Sequence, residues 1–274
     1  MLRPVGRLDV DEIKKLESSI NNILTNLDKG KIEQAEKKIL DIANTPNYFV
    51  REDLGKGLAQ CRKCDDLDNI CIRMLDDHLY GIRATALFYF YYKLQDEPLK
   101  IIMMMDRMFE SVPWETETMA FELWKKHPEV MKEYMGTWAE SENEKKRALA
   151  LHGIENIVIK NTNYVLSFVG KMLNDESEEV QKKITHILTQ VGRQRPIQCY
   201  ASIRRWLLDA DERRIQTIWM TMKKLANIFT QKNMRDKSFD FISVTKRTVL
   251  EWKNDSNPNV AHMGSRLVQI INRA

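Results

Sequence analysis

The chain has 274 residues, 43% of them hydrophobic and 30% charged, with only 10 Gly and 7 Pro. That length can bury a substantial core, the balance of apolar and charged residues excludes a disordered chain, and the scarcity of Gly and Pro favours long helices joined by short turns. The net charge of +4 divides unevenly: residues 1–140 carry 20 Lys and Arg against 25 Asp and Glu, a balance of −5, and residues 141–274 carry 23 against 14, a balance of +9. A basic half of this kind suits a polyanion, nucleic acid first, although a solvated basic surface has the same composition.

The opening stretch, MLRPVGRLDVDEIKKLE, lacks the apolar core of a signal peptide. No apolar run reaches the length of a membrane span, so a cytoplasmic protein with no membrane partner is expected. Apolar residues recur at three and four, as in Ile20, Ile23, Leu24 and Leu27, and no stretch alternates convincingly at period two. Helices are predicted to start at Asp9 or Asp11, Pro98, Pro128, Asn143, Asn163, Ser177, Pro196, Asp211 and Pro258.

Cys61 and Cys64, followed by Cys71 and His78, form an incomplete zinc pattern. Cys71 lies in the apolar run NICIRML, so no metal and a set of reduced thiols are expected. The runs Phe88–Tyr92 and Met103–Met105 are read as helix segments buried on both sides, not as base-stacking surfaces. His127 and His152 stand alone on helices, without metal-ligand spacing. No Gly-rich phosphate loop, nucleophile elbow or hydrolase carboxylate pair is present, and no cofactor is expected.

Four stretches share one scheme, in which an apolar helix end and a polar turn precede a new helix with basic residues near its start. They are MLDDHLYGIRATAL (74–87), TWAESENEKKRALAL (137–151), MLNDESEEVQKKITHIL (172–188) and LLDADERRIQTIW (207–219). Arg83, Arg147, Lys182 and Arg214 mark the register, at steps of 64, 35 and 32 residues, and EWKNDSNPNVAHMGSRLVQII adds a last unit. A period in the thirties made of helix pairs implies an all-α, HEAT-like α-α superhelix (a solenoid). The chain then reads as a single domain over 1–274, with an N-terminal helical cap at 1–45, repeats at 46–230 and capping helices at 231–274. Stacked second helices line a concave face, made basic here by Arg83, Lys145, Lys146, Arg147, Lys182, Lys183, Arg213 and Arg214. Helix N-termini attract phosphate and slightly disfavour cations, so repeated cations there point to a polyanionic ligand.

The missing unit of the 64-residue step falls at Glu115, 32 residues from both Arg83 and Arg147. Its helix opens Pro113-Trp114-Glu115-Thr116-Glu117, acidic where its neighbours are basic. Pro followed by acids is also a sound helix start on geometric and electrostatic grounds.

The run FESVPWETETMAFELWKKHPEVMKEYMGTWAESENEKKRALAL, continued by EEVQKKITHILTQVGRQRP, resembles the DNA alkylation repair (AlkD-like) DNA glycosylases. The likeness is clearest from about 72 to 230 and includes KHPE, Tyr134, Trp138 and Arg147-Ala148. The resemblance implies a HEAT-like solenoid that cleaves the N-glycosidic bond of cationic alkylated purines without flipping the base into a pocket. It further implies a Trp-Asp-Ser-Val-Asp motif whose last Asp is catalytic, a Trp in that motif and another in a later repeat that pack on the sugar, and an Arg that holds phosphate.

Here Phe109 stands for the first Trp, Glu110 for the first acid, Pro113 for the catalytic Asp and His186 for the second Trp; Arg147 matches. A carboxylate near the sugar stabilises the positive charge that develops during cleavage, and proline has none. Glu110, Glu115 and Glu117 are the candidate substitutes, and Trp114 is a candidate stacking group. The expectation is a monomeric DNA-binding member of this superfamily with lost or altered glycosylase activity. The alternatives are an active glycosylase using one of those glutamates, and a scaffold that binds a protein partner on the concave face.

Overall fold

Local capping sets most of the helix starts in the computed structural model, which describes residues 2–61, 65–231 and 239–272. Asp9 closes a capping box: its side chain accepts from the Asp11 and Glu12 amides, while the Glu12 carboxylate accepts from the Asp9 amide. Asn143 and Asp211 cap their helices through side-chain oxygens, and Pro98, Pro128, Pro196 and Pro258 occupy first turns, where a missing amide is harmless. A helical segment does restart near Asn163, two residues after a break. The helix there spans Val158–Lys171 and breaks at Asn161, whose φ of −134° and ψ of 40° are non-helical.

The chain groups into two compact units, 1–119 and 120–274. The first contains α1 (Val10–Asp28), α2 (Ile32–Ala43), α3 (Tyr48–Leu58), α4 (Asp65–Met74), α5 (Tyr80–Lys93) and α6 (Pro98–Met108), and the division falls within α7 (Pro113–Lys126). In this unit α1, α3 and α5 lie side by side, with α2 against all three and α4 and α6 against α5. The second unit continues with α8 (Pro128–Ala139), α9 (Glu144–Leu151), α10 (Val158–Lys171), α11 (Glu178–Gln194), α12 (Pro196–Leu207), α13 (Glu212–Thr230), α14 (Phe239–Lys253) and α15 (Pro258–Ile271). Here α9, α11, α13 and α15 form one layer and α10, α12 and α14 the other. There is no strand among the described residues. Each unit is therefore a run of HEAT-like helix pairs, as the sequence period implies.

Packing confirms α5 as a helix buried nearly all round, since every residue from Ala84 to Tyr91 is buried. It meets α3 at Gly55, where a Cβ would lie only 2.6 Å from the Phe88 Cβ. The methionine run behaves differently from expectation: Met105 is fully buried, but Met103 is 70% exposed on the solvent side of α6.

One motif recurs at the turns. Thr45, Asp77, Ser141 and Asp175 each accept, through a side-chain oxygen, the amide two residues on. Their carbonyls accept from the side chain six residues on: Arg51 at 3.1 Å, Arg83 at 2.6 Å, Arg147 at 2.9 Å and Gln181 at 2.7 Å. The turn's polar groups are thus satisfied by a side chain from the helix that follows it.

Arg147 also joins its turn to the next one, because its Nε and Nη2 form a fork on Asp175 at 2.6 and 3.0 Å. Gln181 reaches the next helix instead of the next turn, its Oε1 accepting from the Thr217 hydroxyl on α13. The ladder predicts that Arg147→Ala lowers the unfolding free energy by about 2 kcal/mol, and that Lys, which lacks the fork, does not restore it. Burial pushes the Asp175 carboxyl up, but the Arg147 fork and the Ser177 amide hold it below its ordinary value. Its stabilisation is complete above the unfolded-state pKa of about 3.9 and is lost as pH falls through the lower folded-state value. Asp175→Asn should accordingly flatten the acid limb of a stability–pH curve measured by urea unfolding.

Candidate functional site

The first turn of α7 separates its side chains into two groups. Pro113 and Trp114 point to solvent, Trp114 being 70% exposed, whereas Glu115 and Thr116 are buried. Glu115 is fully buried: one carboxylate oxygen accepts from Arg51 Nη2 at 2.7 Å and the other from the Tyr80 hydroxyl at 2.5 Å. Arg51, 3% exposed, lies with its guanidinium carbon 5.3 Å from the centre of the Tyr80 ring and 6.0 Å from that of Tyr48. Burial, and then the bond to Glu115, raise the Tyr80 phenol above its ordinary pKa. Both oxygens of this acid are therefore committed inside the first unit. Phe109, half-buried, caps the C-terminal end of α6, Glu110 is exposed in the following turn, and Glu117 is half-buried on α7.

Above the Arg51–Glu115 pair is an open cleft of about 560 Å³ between the starts of α3, α5 and α7. Pro46, Leu79, Tyr80, Pro113 and Trp114 form its apolar walls, with Asn44, Thr45 and Arg51 as polar groups. Arg51 is the element that sequence reading missed, although its spacing from Arg83 (32 residues) continues the register.

The basic register residues are also engaged internally. Arg83 donates to the carbonyls of Asp77 at 2.6 Å and Ser111 at 3.4 Å, and Arg147 is held by Asp175 and by the carbonyls of Ser141 and Glu142. Arg213 pairs with Glu176 at 2.7 Å, Arg214 with Asp209 at 3.4 Å, and the exposed Lys182 with Glu178 at 3.4 Å. Lys183 Nζ lies 2.6 Å from His152 Nδ1, and Lys146 lies 5.4 Å from the centre of the Trp138 ring. Lys145 is exposed at the start of α9. His186, half exposed, is 3.6 Å from Glu155. Burial pushes the Glu155 carboxyl up, but the hydrogen bond from His186 and the nearby imidazoles bring it below its ordinary value.

A second cleft, of about 1290 Å³, runs between α11 and α13. Its helix-start end carries the acids Asp175, Glu176, Glu178, Asp211 and Glu212 together with Arg213, while Lys182, Lys223 and Lys224 line it further along. Lys223 and Lys224 were not singled out from the sequence, although both lie off the buried stripe Ile218, Met222 and Leu225. Among the described residues, no cluster of His, Cys, Asp and Glu is placed to hold a metal. Cys61 is disulfide-bonded, which corrects the expectation of a wholly reduced set; Cys71 and Cys199 are free and buried, and Cys64 lies outside the described residues. No described helix is long and apolar enough to cross a membrane.

A family model described as DNA alkylation repair enzyme matches residues 34–207. Among solved structures, smu.31 from Streptococcus mutans UA159 is similar at 16% identity, covering 75% of this chain and 97% of its own, with a TM-score of 0.49. A designed armadillo repeat protein is similar at 15% identity, covering 94% of this chain and 100% of its own, with a TM-score of 0.30. None of the curated proteins matches.

If Glu115 is a structural counterion, Glu115→Gln leaves Arg51 buried without its partner and lowers the unfolding free energy by about 3–5 kcal/mol. The loss would be read as a lower urea midpoint at neutral pH. Replacing both partners, Arg51→Met with Glu115→Leu, should recover part of it, because no uncompensated charge then remains.

Proposed function

The chain belongs to the DNA alkylation repair enzyme family, and from that membership we propose that it binds DNA through the phosphate backbone and has lost base-excision chemistry. The observation that carries the second half of this reading is the commitment of Glu115. In the resemblance to AlkD-like glycosylases the catalytic carboxylate falls at Pro113, and the acid two residues on is fully buried with both oxygens occupied. A carboxylate neutralised by Arg51 gives little stabilisation to a cationic sugar. Glu117 lies about 200° around the helix from Glu115, and Glu110 lies in the turn before it. The sugar-packing positions are also changed, to Phe109 and His186, and His186 is turned toward Glu155.

For DNA binding, the excess charge of residues 141–274 supports a contact on the second unit, with little sequence preference. Arg147 of the turn ladder and Arg213 are poor candidates for it, since a phosphate would compete with Asp175, Glu176 and backbone carbonyls. The lysines of the α11–α13 cleft suit it better. Lys223 and Lys224 are exposed along the cleft, away from the acids at the helix starts; Lys182 is exposed one turn after Glu178, with which it pairs at 3.4 Å, and Lys145 adds an exposed cation on α9.

Anisotropy titrations of a labelled duplex across a salt series test this contact. Changing Lys182, Lys223 and Lys224 together to Glu is expected to weaken binding at least tenfold and to reduce the salt slope by about three. An unaltered titration would remove the cleft from the interface, and an absence of binding at low salt would overturn the reading as a whole.

A further inference from the structure

The cleft of the first unit remains unused by a phosphate contact, and its chemistry is of another kind. The charges beneath it cancel, because Arg51 is paired with Glu115. The Tyr80 hydroxyl is spent on the same carboxylate, so Tyr80 offers its ring and not its polar end. Gly81 closes the back of the cleft: a Cβ there would stand 2.5 Å from the Ala43 carbonyl oxygen and 2.8 Å from that of Thr45. At the rim Trp114 holds 70% of its surface in water, although it is the residue type with the most to gain from burial. Asn44 contributes a carboxamide, which is both donor and acceptor. A neutral, apolar recess of about 560 Å³ is within the ordinary range for a small planar ligand.

We propose that this cleft receives an unpaired nucleobase of DNA, stacked on the Trp114 indole with its polar edge toward Asn44. The inference rests on the DNA-binding reading and adds to it a preference for DNA with a base out of the duplex stack, a departure from the glycosylases the chain resembles, which take no base into a pocket. Neutrality of the floor argues against a phosphate or an acidic peptide, which would find no net positive charge there. Stacking on an indole tolerates any base, in keeping with little sequence preference. The contact lies on the first unit and uses none of the lysines assigned to the phosphate backbone.

The test compares a fully paired duplex with the same duplex carrying one bulged 2-aminopurine. The native protein is expected to bind the bulged duplex about five- to a hundredfold more tightly, the range that stacking one base on an aromatic ring provides, and to alter the 2-aminopurine emission. Trp114→Ala should abolish both the preference and the emission change while leaving affinity for the paired duplex unchanged. Trp114→Phe should retain part of each. Trp114 is mostly exposed, so the substitutions are not expected to unfold the chain. Equal affinity of the native protein for the two duplexes, or a preference that survives Trp114→Ala, overturns the pocket and leaves the phosphate contact standing. Failure to bind either duplex overturns both.

Discussion

The structure depends on how its turns satisfy their own backbone. Each turn before α3, α5, α9 and α11 presents a carbonyl that the helices leave without a partner, and the side chain six residues on supplies the donor. Leaving such a group unmet in a partly buried turn costs on the order of 1–3 kcal/mol. That requirement fixes the residue type at one position in each of these four repeats, long enough to reach back and rich in N–H groups. Arginine meets it three times and glutamine once. Where the arginine is Arg147, the spare donors extend to Asp175, so that satisfying one turn also locks it to the next.

The repeat that opens α7 departs from this rule, and the departure explains its acids. Glu115 occupies the register position but points inward, as the acceptor for Arg51 from two repeats earlier and for Tyr80. A buried arginine needs a counterion, and the pair is viable only because both carboxylate oxygens find donors. The same demand bears on function. An acid committed to holding Arg51 is withdrawn from chemistry, and arginines committed to turns are withdrawn from ligand contact. What stays available is lysine on α9, α11 and α13 and the apolar cleft beside Trp114.

Much of the fold was legible because its signals are local. Caps such as Asp9, Asn143 and Asp211 act within three residues, and first-turn prolines act on their own backbone. Asn163 came within two residues of the break at Asn161, and asparagine suits a helix start at either position. The register of Arg83 and Arg147 was also visible, but its purpose was not. A cation near a helix start suits a phosphate or a turn carbonyl equally, and spacing alone does not say which way the side chain leans. One signal would have separated the two: Thr45, Asp77 and Ser141 stand six residues before Arg51, Arg83 and Arg147, each a residue suited to a tight turn. Partners distant in sequence, such as Glu115 with Arg51, carried no local mark at all.

The central claim, a DNA-binding fold whose helix-start acid has become a counterion, is tested most directly by base release. Single-turnover reactions with protein in excess over methylated duplex DNA would measure free N7-methylguanine and N3-methyladenine over time, at a salt concentration where the DNA is bound. Release at the spontaneous rate is expected. Release well above that rate, abolished by Glu110→Gln or Glu117→Gln, would contradict the claim by showing that another carboxylate has taken up the work of the one replaced by Pro113.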